Sequence, residues 1–434
     1  MVPSAEAEAP SFPELLRFKR VQAGLTQRTL ADLSTISPRT IRALESGRVH
    51  GRMQTLRLLA DALRLEGLAR ELFINAGLGV QRQGPLGSDP CLAMPRSVNA
   101  LIGRDAEVRA MAGDLESDHR RMISLSGLPG AGKSRVAAEI ALRLNARRGW
   151  PVLWIGAGAG GPDPWAAEGN GTPFGPLLRS LRRLVEAGAE DVSTVCRLIG
   201  RHELLLVLDG VADVRGPVGV GELLAYCPGV RVVSTSRAPW QVAGVQGAVV
   251  APLATPGADW DATGALEVLA GVPSVRLLVD RLAEVRPGFA PGRADAEDVV
   301  RLCRKLDGLP VALEAVAARF RVLSLRQLAD TPAPHLLELA VARRSAGVPE
   351  TIGGLVRSGL AELDTDQRAV LGELVRADRP PTVSEAAAAL GRPLGRVVDD
   401  LDALTGRGLV RASYQEAEPR LYVPNLLRTV LTGR

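Results

Sequence analysis

The sequence predicts a multidomain α and α/β protein, in which a small helical domain precedes a parallel α/β sheet and further helical regions. Three observations predict this class. Residues 12–78 carry helical periodicity broken by turn signals. From about residue 99 to 260, continuous apolar runs alternate with helical runs, which is typical of a parallel sheet covered on both faces. The length of 434 residues, with 46% hydrophobic and 23% charged residues, suffices for two to four domains.

The helical domain at 12–78 shows its helix boundaries in the sequence. Gly24 ends a first helix, and Thr26 in the stretch GLTQ can cap a second. Ser37 followed by Pro38 is a strong start signal for a third helix, and Gly47 closes that helix. The sequence therefore predicts two short helices joined by a tight turn between residues 26 and 47.

The third helix is expected to expose its N-terminal end. Helical spacing points Ile41 and Leu44 inward, which leaves Arg39, Thr40 and Arg42 outward. This is the geometry of a helix-turn-helix, whose second helix enters the DNA major groove by its N-terminal residues. The stretches GLTQ, SPRTI and LESG, in register over residues 14–76, resemble the Cro/repressor-like (XRE-type) helix-turn-helix domains.

The resemblance implies that double-stranded DNA is a partner of this domain. The implied DNA-binding residues are Gln27 and Arg28 towards the backbone, Ser37, Arg39, Thr40 and Arg42 at the start of the recognition helix, and Arg48 and Arg52 at phosphates beyond it. Between residues 14 and 71 there are 11 basic and 6 acidic residues, so the whole net charge of +5 lies on this domain. A helical bundle with a solvated arginine-rich face is the alternative.

The middle of the chain is expected to hold the sheet. Residues 79–98 are rich in Gly and Pro without periodicity, so we predict a linker there. The predicted strands are MISLSG, PVLWIG, LLLVLD, VRVVSTS and GAVVAPL. Residues 157–175 interrupt the pattern and are expected to form a surface loop. Residues 273–345 are expected to be wholly helical, and three short helices and a hairpin are expected after residue 360.

Residues 127–134, GLPGAGKS, satisfy the phosphate-binding pattern GxxxxGK[ST]. They follow a strand-like run and precede a helical run, which is the context that the motif requires. Lys133, one of only three lysines in the chain, would contact the β- and γ-phosphates of a nucleotide, and the Ser134 hydroxyl would bind Mg²⁺. A glycine-rich turn between a strand and a helix is the alternative.

Two later strands end in side chains suited to the same site. LLLVLD ends in Asp209, a carboxylate that can help to hold Mg²⁺ and is a possible catalytic residue. VRVVSTSR ends in Arg237, which would reach a γ-phosphate. Each strand alone is also explained as a core strand with a solvated end, and their order after the phosphate loop favours the functional interpretation.

From about residue 101 to 434, the sequence resembles the NB-ARC/STAND-type P-loop NTPases, and in particular actinobacterial regulators. The resemblance rests on LIGRDAEVRAM before the loop, on the TSR element that ends at Arg237, on PSVRLLVDRLAEVRPG and on GLPVAL. It implies an α/β P-loop domain at 99–260, a helical lid at 261–345 and a winged-helix domain at 346–434.

The same resemblance implies ATP or ADP with Mg²⁺ as ligands. Arg237 would sense the γ-phosphate, and Pro310 would lie against the base. The implied nucleotide-binding residues are Ile102, Gly127, Leu128, Pro129, Gly130, Ala131, Gly132, Lys133, Ser134, Arg135, Arg237 and Pro310, and the implied Mg²⁺ ligands are Ser134 and Asp209.

Two departures from the family bear on activity. Many members place a second acidic or amide residue directly after the carboxylate, whereas here Gly210 follows Asp209 and the next acid is Asp213. No residue is evident that would orient an attacking water, so we predict tight nucleotide binding with slow or absent ATP turnover. Members often carry a histidine that touches the β-phosphate, where residues 423–425 here read Val-Pro-Asn, which leaves Asn425 as a weaker contact.

The winged-helix region is expected to contain helices at 385–390, capped by Ser384, and at 393–405, with LVRAS and RLYV as the wing. A winged helix can bind DNA. The second of these helices, however, carries aspartates at positions 399, 400 and 402, which would face phosphate. We therefore favour an internal packing role over a DNA contact.

Composition excludes several other classes. No apolar run approaches the roughly 18–20 residues of a membrane span. The acidic N-terminus, MVPSAEAEAPSFPELL, has no signal-peptide pattern, so we expect a cytoplasmic protein with no membrane partner. The four cysteines are scattered without a CxxC spacing, which disfavours a metal site or a disulfide framework.

Together these features predict a nucleotide-switched transcription regulator. ATP or ADP would control conformation or oligomeric state, and a homo-oligomer would bind DNA tightly because several domains grip one duplex. Larger members of the family continue into helical repeats that this sequence lacks, so we expect the signal to come from a partner or from the nucleotide. The alternative is a nucleotide-driven signalling or defence assembly ATPase whose N-terminal domain makes protein contacts.

Overall fold

The computed structural model contains a helical N-terminal domain, a parallel α/β sheet, and helical regions that pack on the sheet. The structure describes residues 12–65, 70, 73–74, 77–78, 91–92, 94, 99–117, 120–156, 192–200, 202–210, 219–240, 245–257, 260, 269, 271–345, 348–414 and 418–433. The multidomain α and α/β class predicted from the sequence is confirmed.

The N-terminal domain is built from short helices around one apolar cluster. Its helices are α1 (Phe12–Gln22), α2 (Gln27–Ser34), α3 (Pro38–Glu45) and α4 (Met53–Ala62). The predicted caps are confirmed, since the Thr26 hydroxyl accepts from the Thr29 N–H and the Ser37 hydroxyl accepts from the Thr40 N–H. The core consists of fully or nearly buried residues from all four helices and from the segment beyond them, Leu16, Leu30, Ile41, Leu44, Leu56, Leu59 and Phe73.

The sheet has six strands, and every neighbouring pair is parallel. Its strands are β1 (Cys91–Leu92), β2 (Met122–Ser126), β3 (Val152–Gly156), β4 (Leu204–Asp209), β5 (Val230–Thr235) and β6 (Gln246–Val249), in the spatial order β1-β3-β4-β5-β2-β6. All residues of β2 and β5 are buried, which explains their unbroken apolar runs. The five strands predicted from the sequence are confirmed.

The sixth strand lies within the segment predicted as a linker. Cys91 and Leu92 pair with Val152 and Leu153, so part of the segment 79–98 extends the sheet at its edge. A two-residue strand is too short to produce a periodic pattern, and it forms only because β3 offers unpaired backbone groups. The loop predicted at 157–175 lies outside the described residues.

Alternation of side chains along the strands separates two apolar layers. On one face of β4, Leu205 and Val207 join the large cluster beneath α5 (Asp105–Glu116) and α6 (Lys133–Arg148). On the other face, the remaining leucines of β4 pack against α7 (Val192–Ile199) and α8 (Val220–Tyr226). The sheet is therefore covered on both faces, as its sequence predicts.

The helical region predicted at 273–345 ends earlier than expected. It contains α9 (Pro273–Val285), α10 (Ala296–Lys305), α11 (Pro310–Arg319), α12 (Leu325–Asp330) and α13 (Ala333–Leu339). Residues Val341–Ser345 then form strand β7, which pairs antiparallel with β8 (Val348–Thr351). The prediction of helix through residue 345 was wrong, because a short apolar run fits either period and the strand depends on its partner.

The C-terminal unit, residues 352–433, contains five helices and a hairpin. They are α14 (Ile352–Ala361), α15 (Thr365–Arg376), α16 (Val383–Leu390), α17 (Leu394–Gly406), the strands β9 (Arg411–Ser413) and β10 (Arg420–Tyr422), and α18 (Asn425–Thr432). The hairpin agrees with the predicted wing. The predicted cap at Ser384 was wrong, because Thr382 and Glu385 form a reciprocal capping box that starts the helix earlier.

One apolar cluster joins three regions that the sequence separates. It runs from Val108 beside the sheet through Leu313 of α11 to Leu427 of α18. The regions predicted as the P-loop domain, lid and winged helix thus share a single core among the described residues. In the part of the chain that the structure describes, no helix has the length and apolarity needed to cross a membrane.

Candidate functional site

The exposed end of α3 is one of two candidate sites. The Ser37 and Thr40 hydroxyls lie 2.8 Å apart, and both cap the first turn of the helix. Ile41 and Leu44 are buried, while Arg39 and Arg42 are exposed. The first turn of α3 therefore presents its arginines on a backbone that is fixed by its cap and by its apolar face.

An internal ion pair sets the angle between the helices beneath this surface. The Arg20 guanidinium donates to the Glu45 carboxylate at 2.6 Å, and their side chains are 12% and 6% exposed. The Gln27 amide donates to the same carboxylate, so α1, α2 and α3 meet at Glu45. Sequence reasoning missed Arg20 and Glu45, and it placed Gln27 at the DNA backbone, whereas its amide is used inside the domain.

The remaining arginines predicted to contact DNA are available to a ligand. They are exposed, and they make no hydrogen bond or ion pair with any other described residue: Arg28, Arg39, Arg42, Arg48 and Arg52. Gln27, Arg28 and Arg42 also line an open groove of about 750 Å³ between α1 and the α2–α3 turn. The surface is therefore concave and basic.

The second candidate site is the loop between β2 and α6. Three of its glycines adopt positive φ angles, +133° at Gly127, +81° at Gly130 and +96° at Gly132. A Cβ atom on Gly127 would lie 2.8 Å from the Val250 carbonyl oxygen, so this position requires glycine both for its conformation and for space. The loop leads directly into α6, whose first N–H groups have no partner within the helix.

The polar side chains of this loop have partners inside the protein. The Lys133 ammonium donates to the carbonyls of Gly127 and Leu128, both at 2.9 Å. The Ser134 hydroxyl donates to Asp209 Oδ1 at 2.7 Å, and the Thr235 hydroxyl donates to the same oxygen at 2.5 Å. Two adjacent strand ends and the loop therefore converge on one carboxylate.

This arrangement fits a nucleoside polyphosphate with Mg²⁺. The helix N-terminus and the ammonium of Lys133 are donors suited to phosphate oxygens. The Ser134 hydroxyl and the Asp209 carboxylate supply adjacent oxygens, which are the ligands that Mg²⁺ prefers. Among the residues that the structure describes, no cluster of three or more His, Cys, Asp or Glu suggests a different metal site.

A buried arginine that sequence reasoning missed supports the loop from behind. Arg104 is 4% exposed and donates to the carbonyls of Ala131, at 3.1 Å, and Ala251. Burial lowers the pKa of its guanidinium, partly offset by Glu107. The signal was present, because Arg104 lies within the LIGRDAE stretch that begins the resemblance. Ile102 of the same stretch is half-buried against the core.

Arg135 does not point at the loop. Its guanidinium donates to the carbonyls of Asn99, at 2.6 Å, and Ala100, and it lies 3.9 Å from the Glu314 carboxylate. It therefore connects α6 to the segment before α5 and to α11. Its predicted contact with nucleotide is not evident in this arrangement.

The turn before α11 lies next to the loop. Gly308 has φ +67°, and a Cβ there would lie 2.1 Å from the Leu253 carbonyl oxygen. Pro310 is the first residue of α11, and the Val311 N–H donates to the Gly130 carbonyl at 3.3 Å. Pro310 is thus brought beside the phosphate loop, as the sequence predicts.

Arg237 follows β5 at the same edge of the sheet, but its partner is a carboxylate of the C-terminal unit. Its guanidinium pairs with one oxygen of Glu362, and Arg407 pairs with the other oxygen at 3.2 Å. Sequence reasoning missed Glu362 and Arg407, because these residues are far from Arg237 along the chain.

The weaker phosphate contact expected of Asn425 is not formed. Its amide donates to the Arg304 carbonyl at 3.4 Å, and the neighbouring Leu426 N–H donates to the Asp307 carboxylate at 2.6 Å. Asp307, at φ +50°, therefore caps α18 from α10's C-terminal turn. Burial raises its pKa, partly offset by the backbone donors. Asp213 lies outside the described residues.

Helix α17 of the predicted winged helix packs internally at its C-terminal end. A Cβ on Gly406 would lie 2.7 Å from Pro239 Cγ, and one on Gly408 would lie 3.4 Å from the Leu128 nitrogen. Asp400, the middle one of its aspartates, pairs with Arg392 at 3.0 Å. These contacts support the packing role that the acidic surface suggests.

Comparison with known proteins identifies the N-terminal domain. Residues 16–67 match the helix-turn-helix family. A Mycobacterium tuberculosis protein named as a candidate HTH-type transcriptional regulator (Rv0890c) is 31% identical over 219 residues, which are 48% of this chain and 21% of that protein. An uncharacterized M. tuberculosis protein (Rv0894) is 28% identical over 282 residues, 64% of this chain and 66% of that one. The chain thus spans about a fifth of the length of the regulator that it matches.

Solved structures show more distant likeness. The Walker-type ATPase PABY2304 of Pyrococcus abyssi has 16% identity and a TM-score of 0.44, with 76% of this chain and 96% of that chain covered. NtrX of Brucella abortus, in complex with ADP, has 16% identity and a TM-score of 0.29, with 70% and 69% covered.

Proposed function

We propose that this protein is a DNA-binding transcription regulator controlled by ATP or ADP. The observation that carries the proposal is the presence, in one chain, of a helix-turn-helix with exposed arginines and of a phosphate loop whose serine meets the Asp209 carboxylate. The first is suited to a duplex, and the second is suited to a nucleotide with Mg²⁺. Neither site has a role in a chain that carries out only the other function.

The DNA contact follows from the N-terminal domain. Helix α3 enters the major groove by its first turn, so Arg39, Thr40 and Arg42 contact base edges. Arg28, Arg48 and Arg52 neutralise phosphates and position the helix. Binding of this kind weakens as salt rises, because each neutralised phosphate releases counterions. Ser37 fixes the helix start, and Gln27 acts indirectly by holding Glu45.

The nucleotide contact follows from the loop. The phosphates lie against the backbone of residues 127–134, and Lys133 exchanges its two carbonyl partners for phosphate oxygens. Ser134 and Asp209 hold Mg²⁺, while the turn at Pro310 contacts the base. Bound Mg²⁺ would screen the phosphate charges for these donors.

Hydrolysis is slow or absent in this proposal. Asp209 accepts hydrogen bonds from two hydroxyls and is the site's metal ligand, and Gly210 beside it has no side chain to orient water. Bound ATP therefore persists long enough to act as a signal. The nucleotide then sets the conformation or the homo-oligomeric state, and paired DNA-binding domains raise affinity for one duplex.

Fluorescence anisotropy of a labelled duplex from the gene's upstream region tests the proposal, with ADP and with a non-hydrolysable ATP analogue. Specific binding that differs between the two nucleotides is expected. Lys133→Ala should remove that difference while leaving binding by the N-terminal domain intact. Arg147→Ala, on the exposed side of the same helix, is the matched control. Equal responses of Lys133→Ala and wild type to the ATP analogue would contradict the switch.

The alternative is a signalling or defence assembly ATPase. In that case the N-terminal domain contacts protein, the chain shows no preference between its own upstream duplex and scrambled DNA, and ATP drives assembly. Light scattering with each nucleotide, run beside the anisotropy experiment, separates the two functions. Assembly without duplex preference favours the alternative.

A further inference from the structure

We propose that Glu362 is a latch that competes with the γ-phosphate of a nucleoside triphosphate for Arg237. In this view a triphosphate releases the C-terminal unit from the phosphate loop, and a diphosphate leaves it in place. The inference rests on the proposed nucleotide binding and adds the contact through which the nucleotide acts.

The C-terminal unit lies directly on the phosphate loop. A Cβ added to Gly359 of α14 would lie 3.4 Å from Pro129 Cγ, and one added to Gly408 would lie 3.4 Å from the Leu128 nitrogen. Leu355 reaches within 3.5 Å of the Cβ position of Gly130. These glycines leave room for close approach, so the contact depends on backbone shape and offers little side-chain area to hold it.

Charge supplies the specific connection. Glu362 begins just after α14, and its carboxylate pairs with Arg237 through one oxygen and with Arg407 through the other. Arg407 follows α17, so it holds Glu362 within the C-terminal unit. Arg237 belongs to the sheet. The single carboxylate therefore joins the two parts of the molecule at the edge where the phosphate loop lies.

Arg237 is placed where a third phosphate would compete for it. It lies two residues beyond Thr235, whose hydroxyl donates to Asp209, the partner of Ser134. Ligands of open parallel sheets bind outside these carboxyl ends of the strands. A guanidinium binds phosphate and carboxylate through the same fork of N–H donors, so it can satisfy only one of them fully.

Other contacts hold the C-terminal unit without touching the loop. Asp307 caps α18, and Glu338 of α13 pairs with Arg357 of α14 at 2.7 Å. Both connect the C-terminal unit to the helical region at 273–339. Loss of the Glu362 contact would therefore free the unit from the loop while it stays attached elsewhere.

A cross-link can report whether the unit lies on the loop. The Cβ of Gly406, if present, would lie 3.8 Å from Pro239 Cβ, which matches the separation found in disulfides. The variant Pro239→Cys with Gly406→Cys places a thiol on each part, outside the nucleotide site. Each single cysteine variant serves as the background for the native thiols, and a thermal melt checks that the variants are folded.

In this variant, the cross-link should form readily with ADP and about fivefold more slowly with a non-hydrolysable ATP analogue, the scale expected of one half-exposed ion pair. Adding Glu362→Gln should slow the cross-link with either nucleotide. It should also raise affinity for the ATP analogue relative to ADP by a similar factor, because the competitor is gone. Arg407→Ala should act in the same direction and more weakly.

Glu373→Gln is the matched control, because Glu373 pairs with Arg376 on α15. A rate that is the same with both nucleotides, or unaffected by Glu362→Gln, overturns the latch. Binding of a fluorescent ADP, measured on the same protein, separates this result from failure of the proposed function. If the nucleotide binds and the cross-link is indifferent, only the latch is wrong. If no nucleotide binds, the proposed function falls first and the latch with it.

Discussion

The two candidate sites differ in how their cationic groups are used. On the N-terminal domain, the exposed arginines make no hydrogen bond or ion pair with another described residue: Arg28, Arg39, Arg42, Arg48 and Arg52. At the phosphate loop, Lys133 donates to two carbonyls, Arg104 to two more, and Arg237 pairs with Glu362. One cationic surface is open, and the other is satisfied from within.

This difference follows from burial. An exposed guanidinium is solvated by water and needs no protein partner, so it can meet phosphate directly and with a strong dependence on salt. A half-buried cation without a partner is costly, so the loop satisfies its own donors. Ligand binding at the loop therefore has to exchange partners, and such an exchange changes the packing of neighbouring segments. The DNA surface is suited to output, and the loop is suited to control.

The sharpest test of the open surface is reversal of its charge. Arg39→Glu with Arg42→Glu should weaken duplex binding by about two to three orders of magnitude, because two groove contacts become repulsive. Anisotropy at two salt concentrations measures the loss. Arg57→Glu, an exposed arginine on α4, is the matched control and should cost much less. Similar losses from both variants would mean that the surface acts only through net charge.

The comparison also predicts that the N-terminal domain depends on its one internal ion pair. Glu45→Ala should lower the free energy of unfolding by about 3 kcal/mol, because it leaves the largely buried Arg20 without its carboxylate. Chemical denaturation followed by circular dichroism measures the change. Arg48→Ala, which removes an exposed arginine, should leave stability near wild type. A small effect of Glu45→Ala would show that water replaces the carboxylate.

At the loop, the shared carboxylate is expected to govern the dependence on Mg²⁺. Asp209→Asn should weaken Mg²⁺-dependent nucleotide binding about tenfold, because a charged oxygen ligand becomes neutral. It should have little effect when Mg²⁺ is chelated. Titration of a fluorescent nucleotide with and without EDTA separates the two cases. Equal losses in both conditions would assign Asp209 a structural role only.

The smallest effect concerns the contact that holds α18. Asp307→Ala should lower stability by about 1–2 kcal/mol, since it removes the cap and places alanine at φ +50°. Asp307→Asn keeps an acceptor and tolerates this φ, so at neutral pH it should match or exceed wild type, whose carboxylate bears the cost of burial.

The pH dependence of this pair has a definite sign. Burial raises the pKa of Asp307 in the folded protein, so the folded state holds the proton more tightly than the unfolded chain. Wild-type stability should therefore gain on Asp307→Asn as pH falls through the raised pKa towards the ordinary aspartate range. Thermal melts across that range measure the difference, and a constant gap between the two proteins would contradict the assignment.

Local signals predicted much of this structure. The caps at Thr26 and Ser37, the buried parallel strands, and the glycine-rich turn into α6 were all evident, because each depends on residues within a few positions of one another. Pattern alone also identified the two sites, since both begin at helix N-termini with characteristic spacing. The sequence likewise located the positive charge on the N-terminal domain.

Contacts between distant segments were not predictable in this way. Glu45 brings Arg20 and Gln27 together, and Glu362 meets Arg237 across a separation of 125 residues. The hairpin of β7 and β8 and the edge strand β1 likewise depend on a partner strand. Helix caps and strand periods are set by neighbours along the chain, whereas the partner of a charged side chain is set by which segments the shared core brings together. The sequence therefore determined where ligands would bind, and the packing of the C-terminal unit on the loop determined which side chains compete with them.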